Sequence, residues 1–175
     1  MNDLTIVIPA TRDREDMLEF TRDSINESLR EHQPKVRVTM VTHGEFPFGE
    51  LLNRAVFYSN TTYTCLTIAD TIWTPSLMRG VYRSIGEADG KGILRGATRL
   101  NKAPNGELKL YYPSITVPVL NCFLFRTEDW RAIGGMNPWF DGWGGYEVDF
   151  MVRLRKYGVV DISILCECCF HLDHP

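Results

Sequence analysis

Three short apolar runs in this sequence each stop at residues able to hold a charged ligand. Leu4–Ile8 ends at Pro9-Ala10-Thr11-Arg12-Asp13-Arg14. A second run ends at Thr42-His43-Gly44-Glu45, and a third at Ala69-Asp70. Further along, the loop Asp141-Gly142-Trp143-Gly144-Gly145-Tyr146 leads into two more carboxylates, Glu147 and Asp149. The chain closes with His171, Asp173 and His174. Carboxylate with imidazole suits Mn²⁺ or Zn²⁺, and carboxylate with phosphate oxygens suits Mg²⁺. The residue types therefore point to a divalent cation, a phosphorylated ligand, or both.

The elements that must position these groups follow from periodicity. Leu4–Ile8, Val36–Val41 and Tyr63–Ile68 are short, apolar and bounded by breakers, as buried strands are. Between them, Arg14–Arg30 places Met17, Leu18, Phe20, Ile25 and Leu29 mostly at three- and four-residue steps, the pattern of an amphipathic helix. Asp13 could cap it, with Glu15 and Asp16 in its first turn. Phe48–Tyr58 has the same spacing, and Pro75–Ile85 carries its proline where the missing N–H costs nothing. This alternation predicts an α/β fold with a parallel sheet, and ligands of such sheets sit beyond the carboxyl ends of the strands.

The second half predicts strands at Gly92–Leu100, Glu107–Tyr112, Val117–Arg126 and Val159–Leu165, with a hairpin turn at Asn105-Gly106. Helices are expected over Thr127–Ile133, capped by Thr127 and stopped by Gly134-Gly135, and over Glu147–Tyr157. A polar, His-rich tail follows Leu165. Trp139 reads as core. No repeat or linker divides the 175 residues, so one domain is expected over 1–175.

Composition excludes several classes. A 44% hydrophobic and 23% charged chain is neither disordered nor collagen-like. A net charge of −3 provides no global basic field for nucleic acid or an anionic membrane. No apolar run reaches the roughly 18–20 residues of a membrane span. No basic n-region followed by an apolar stretch opens the chain, so a cytoplasmic location is expected. The five cysteines, Cys65, Cys122, Cys166, Cys168 and Cys169, are odd in number and crowded, unlike a secreted disulfide framework. They are expected as reduced core thiols. A rival zinc site over Cys166, Cys168, Cys169, His171 and His174 lacks the usual Cys-x-x-Cys spacing, and a strand would turn Cys169 away from the other two thiols.

Four blocks resemble a known family. They are Ile6-Val7-Ile8-Pro9-Ala10-Thr11-Arg12-Asp13-Arg14, Phe48-Gly49-Glu50-Leu51-Leu52-Asn53-Arg54-Ala55, Leu66-Thr67-Ile68-Ala69-Asp70-Thr71-Ile72-Trp73-Thr74-Pro75, and Gly134-Gly135-Met136-Asn137-Pro138-Trp139-Phe140 continuing through Gly142-Trp143-Gly144-Gly145-Tyr146-Glu147-Val148-Asp149 to Arg153-Leu154. The chain resembles a GT-A nucleotide-sugar glycosyltransferase of the family-two type, with a galactosyltransferase-like C-terminal region. The resemblance implies a single GT-A domain with a mostly parallel central sheet, residues 1–90 forming the nucleotide-binding half and 91–175 the acceptor and catalytic half.

It also implies roles. Pro9, Ala10, Thr11, Arg12, Arg14 and Asp70 would bind a nucleotide-sugar donor, most simply UDP-linked. Glu147 would be the general base, at the second acid of the family's Glu-Asp pair. Trp143, Gly144, Gly145 and Asp149 would line the acceptor and sugar pocket, Asp149 by orienting the loop. The family's Asp-x-Asp is reduced here to Asp70, with Ile68 and Ile72 around it, which thins the metal site. The late His-x-x-His stretch would supply a further ligand, His171 being favoured over His174, for Mn²⁺ or Mg²⁺. The expected reaction is inverting transfer to an acceptor hydroxyl on a glycan, lipid, protein or modified nucleobase. The alternatives are a catalytically degenerate nucleotide- or sugar-binding module of the same fold, and a nucleotidyltransferase, against which the Gly-free Pro9–Arg14 loop argues.

Overall fold

The structure, a computed structural model, describes residues 4–10, 14–30, 36–42, 48–102, 108–111, 121–139 and 145–172. Its first strand is β1 (Leu4–Ala10), buried along its whole length. It pairs in parallel with β2 (Val36–Thr42) on one side and β3 (Tyr63–Leu66) on the other. The connecting helices are α1 (Glu15–Leu29) and α2 (Phe48–Phe57). This first part follows the predicted alternation closely.

Beyond β3 the sheet changes character. β4 (Thr71–Ile72), α3 (Pro75–Ala88), β5 (Ile93–Lys102), β6 (Leu108–Tyr111) and β7 (Phe123–Arg126) come next. They are followed by α4 (Thr127–Ala132), α5 (Tyr146–Tyr157) and β8 (Asp161–His171). The strand order is β2-β1-β3-β7-β5-β8-β4, with β6 on β5. β7 runs antiparallel to both β3 and β5, β6 antiparallel to β5, and β4 antiparallel to β8, whereas β5 and β8 are parallel. The α/β fold expected from the sequence is present. The sheet is mixed rather than mostly parallel: β6 follows β5 too closely for the crossover a parallel neighbour requires, and β7 lies antiparallel between β3 and β5. Strands from both halves of the chain share this one sheet.

Helices cover both faces, and alternation along the strands feeds two cores. Leu4, Ile6 and Ile8 of β1 face Leu18 and Ile25 of α1 and Leu77, Met78 and Val81 of α3. Val7 faces the other way, with Leu66, Phe123 and Phe125, toward α2, α4 and α5. There Trp130 lies 4.8 Å from Phe125 and 4.7 Å from Phe150, ring centre to ring centre. Each such aromatic pair adds about 0.5–1.5 kcal/mol beyond its buried area, so α5 is firmly seated. α3 begins with Pro75, as the sequence signals, and its cap is an extended Thr74 whose side chain accepts a bond from the Leu77 amide.

Several local expectations change. The helix-start cap at 126–127 is Arg126 rather than Thr127; the Thr127 hydroxyl bonds Thr64 at 2.8 Å instead. Residues 117–120 of the expected Val117–Arg126 strand, the Asn105-Gly106 turn and Asp13 lie outside the described residues. The last strand does not stop at Leu165 but runs on to His171, so the polar tail is largely sheet. Pairing on both edges, to β5 and to β4, sustains it, and such partners are invisible in a local pattern. Trp139 is not core: it is 89% exposed.

Candidate functional site

The carboxyl ends of β1 and β3 meet a short corner, residues 67–73, that carries Asp70. α1 holds this corner through two hydroxyls on its inner face. The Thr21 hydroxyl donates to the Ala69 carbonyl at 2.8 Å and accepts from the Thr71 amide at 3.2 Å. The Ser24 hydroxyl accepts from the Trp73 amide at 3.0 Å. From the opposite side, the Trp73 indole donates to the Thr67 hydroxyl at 3.1 Å, and that hydroxyl donates to the Asn121 carbonyl at 2.5 Å. Net contributions of such bonds are about 1 kcal/mol each, but here they fix the backbone on both sides of one carboxylate.

Asp70 itself is 1% exposed. Its Oδ2 accepts from Arg14 Nη1 at 2.5 Å, and His171 Nε2 lies 3.3 Å from the same oxygen. The extension of β8 explains the second contact. Antiparallel pairing sets Thr71 opposite His171, and the Leu172 amide donates to the Asp70 carbonyl at 2.8 Å. Residues 56 and 101 positions away from Asp70, on the approach to α1 and at the end of β8, are thereby joined at one carboxylate. A buried carboxylate needs such partners to remain ionised.

The second cluster lies at the start of α5. Gly145, at φ 84°, turns the chain into the helix, a conformation that a side chain would strain. Glu147 and Asp149 sit in the first turn, where the helix dipole favours negative charge. Glu147 is half-buried. Asp149 is engaged: its Oδ2 accepts from Arg153 Nε at 2.8 Å, and Arg153 Nη1 reaches the carbonyls of Ile133 at 3.0 Å and Gly135 at 2.5 Å. Arg153 thus ties the helix start to the Gly134-Gly135 turn.

That turn is gripped from α2 as well. Asn53 donates from Nδ2 to the Met136 carbonyl and accepts at Oδ1 from the Met136 amide, both at 2.7 Å. A side chain on Gly135, which has φ 71°, would meet the Trp130 indole nitrogen at 2.7 Å and collide with Asn53. Close approach, together with the positive φ, explains the glycine.

The structure brings Arg14, Asp70 and His171 together and puts Pro9 and Ala10 at the same end of the sheet, both buried in β1. Glu147, Asp149 and Gly145 group at α5. Thr11, Arg12, Trp143, Gly144 and His174 lie outside the described residues. Sequence reasoning missed Thr21, Ser24 and Asn121 as supports of the Asp70 corner, and read the Asn53 helix as core alone. A signal existed for two of them: Thr21 and Ser24 interrupt the apolar face of an otherwise amphipathic helix.

Asp70 and His171 offer one carboxylate and one imidazole, a donor pair that suits Mn²⁺. Cis ligands of an ion bound at about 2.1 Å stand about 3 Å apart, close to the 3.3 Å found here. The pair fits a cation in type and spacing. No cluster of three or more His, Cys, Asp or Glu able to hold a metal occurs among the described residues. Cys169 is buried in the core and bonds the Thr98 carbonyl, and Cys65, Cys122, Cys168 and Cys169 are free thiols.

Residues 106–174 match the family model described as the N-terminal domain of galactosyltransferase. The catalytic domain of Drosophila beta1,4galactosyltransferase 7, solved with xylobiose, superposes with a TM-score of 0.69 at 16% identity, over 99% of this chain and 72% of that one. The chain has the GT-A glycosyltransferase fold. A point mutant of that fly enzyme, solved with manganese, UDP-Gal and xylobiose, aligns with this GT-A chain over the same shares at 16% identity and a TM-score of 0.64. The mannosyltransferase PcManGT from Pyrobaculum calidifontis, in complex with GDP-Man and Mn²⁺, matches at 14% identity and a TM-score of 0.68, over 96% of this chain and 56% of its own. No curated protein matches the sequence. Among the described residues no helix is long and apolar enough to cross a membrane.

Proposed function

We propose that this chain is an inverting glycosyltransferase that moves a sugar from a nucleotide-sugar, UDP-linked, to an acceptor hydroxyl. The observation that carries the reading is the junction of Arg14, Asp70 and His171 beyond the carboxyl ends of β1 and β3, where ligands of α/β sheets bind. Support comes from the galactosyltransferase match over 106–174 and from neighbours of the same fold solved with UDP-Gal or GDP-Man and manganese.

In this reading Pro9, Ala10, Thr11, Arg12 and Arg14 border the nucleotide. Asp70 and His171 hold a divalent cation, Mn²⁺ by donor type, with His174 as the other tail imidazole. When bound, that ion offsets the charge of the departing diphosphate. Glu147, poised at the start of α5, takes the proton from the attacking hydroxyl on the face opposite the leaving nucleotide. Asp149 does not react; its bond to Arg153 sets the angle at which Glu147 is presented. Trp143, Gly144 and Gly145 shape the pocket for the sugars. The expected setting is the cytoplasm.

The test is an assay of UDP-sugar hydrolysis and of transfer to sugar, lipid and peptide acceptors, with and without Mn²⁺. Release of UDP that depends on the intact chain supports the enzyme. Tight UDP binding with no turnover of any donor would instead make the chain a binding module of the same fold.

A further inference from the structure

A guanidinium and an imidazole converge on one oxygen of Asp70, and the guanidinium lies where a metal would have to bind. Arg14 Nη1 contacts Oδ2 at 2.5 Å, while His171 Nε2 stands 3.3 Å from it. A divalent ion on Oδ2 would lie within a few ångströms of the guanidinium. Like charges that close repel strongly where burial lowers the dielectric below that of water, and a double charge repels more strongly still. Arg14 and the cation therefore cannot share Asp70.

The two partners of the ion pair are held very differently. Asp70 is locked through the Thr21, Ser24 and Thr67 bonds on either side of it. Arg14 precedes the first residue of α1, with φ −122° and ψ 16° outside the helical region. Its side chain is 22% exposed against 2% for Asp70. The movable member is the arginine, and a guanidinium matches phosphate oxygens as well as it matches a carboxylate.

We propose that Arg14 is a resident counter-ion that excludes the cation from Asp70 until a nucleoside diphosphate arrives, and then transfers from Asp70 to the phosphate oxygens. The inference rests on the donor-site reading above and deepens it. Exchange of partners keeps Asp70 compensated throughout: by Arg14 before binding, by the cation after it. The cation is thereby admitted only with its diphosphate, which gives an order to binding that Asp70 and His171 by themselves would not impose.

The experiment measures Mn²⁺ binding to nucleotide-free protein, by the paramagnetic resonance signal of unbound Mn²⁺, for wild type, Arg14→Met and Arg14→Gln. The glutamine variant is neutral yet can still donate to Asp70, so it reports even where the methionine variant does not fold. Both are expected to bind Mn²⁺ alone at least tenfold more tightly than wild type, and Arg14→Gln with His171→Ala should lose that gain. Unchanged or weaker Mn²⁺ affinity in the folded neutral variants overturns the proposal. A parallel titration with UDP separates this from the donor-site reading. If no variant binds UDP with Mn²⁺ present, the donor site is wrong, while the competition between Arg14 and Mn²⁺ is still decided by the titration without nucleotide.

Discussion

Asn53 brackets the backbone of Met136, giving one hydrogen bond to its carbonyl and taking one from its amide, both at 2.7 Å. The two residues are 83 positions apart, and the bracket fastens the second helix to the turn that leads toward Glu147. It ties residues of the first half of the chain to residues of the second.

Asn53→Ala removes both bonds and leaves two backbone groups without them. The expected loss is about 1–3 kcal/mol for each group left unsatisfied. For a chain of this size 1 kcal/mol corresponds to about 2–4 °C in Tm, so thermal melting resolves it. Asn53→Asp keeps the acceptor for the Met136 amide and should fall between. Equal Tm for wild type and Asn53→Ala would show that the bracket contributes nothing.

Glu147→Gln keeps size and hydrogen bonding but cannot take a proton. It should melt like wild type, bind UDP like wild type and transfer sugar about 10²-fold or more slowly. Full activity in this variant would remove Glu147 from the reaction.

Arg153 acts through position. Arg153→Lys retains the charge but not the planar fork that reaches Asp149 and the carbonyls of Ile133 and Gly135 together. Arg153→Lys should therefore lose stability nearly as Arg153→Ala does, and both should lower kcat. Full rescue by lysine would reduce Arg153 to a simple counter-charge.

His171 and His174 should separate cleanly. His171→Ala removes the imidazole 3.3 Å from Asp70 and should weaken Mn²⁺ binding in the presence of UDP by about 10-fold or more, the scale of losing one ligand contact of roughly 1.4 kcal/mol. His174→Ala should leave it unchanged. Calorimetry of Mn²⁺ into protein with UDP reads the difference, and equal effects of the two variants would refute the assignment of His171.

Alkaline pH should destabilise the fold. The Cys122 thiol, bonded to Cys65 at an Sγ–Sγ distance of 3.4 Å and fully buried, is pushed well above the ordinary value of 9.0, first by that bond and then by burial. Burial pushes the Tyr82 phenol up to about 12 from 10.0. Both groups hold their protons more tightly folded than unfolded. Their stabilisation is complete below the unfolded values and lost as pH rises toward the folded ones. Tm should hold to about pH 9 and fall beyond it. Tyr82→Phe should flatten the upper part of that fall. A Tm in wild type that is constant to about pH 11 would contradict the shifts.

The amino-acid sequence determined the first three strands and helices, because each carries its own apolar period and Pro75 opens the third helix within the same few residues; the reach of the first strand through Pro9 to Ala10 was left to its pairing with β2. It also marked Asp70, Glu147 and the tail histidines as reactive types in a recognisable order. Tertiary structure decided what those residues meet. The direction of the seventh strand and the extension of the eighth to His171 depend on partners up to 100 residues away, which no local pattern contains. The Asp70 corner is held by Thr21 and Ser24, polar residues that sequence reading leaves as minor breaks in an apolar face. It meets Arg14 and His171 only because two strand ends and a helix start coincide in space. Hydrogen bonds and charges act over a few ångströms, and it is folding, not spacing along the chain, that brings such distances about.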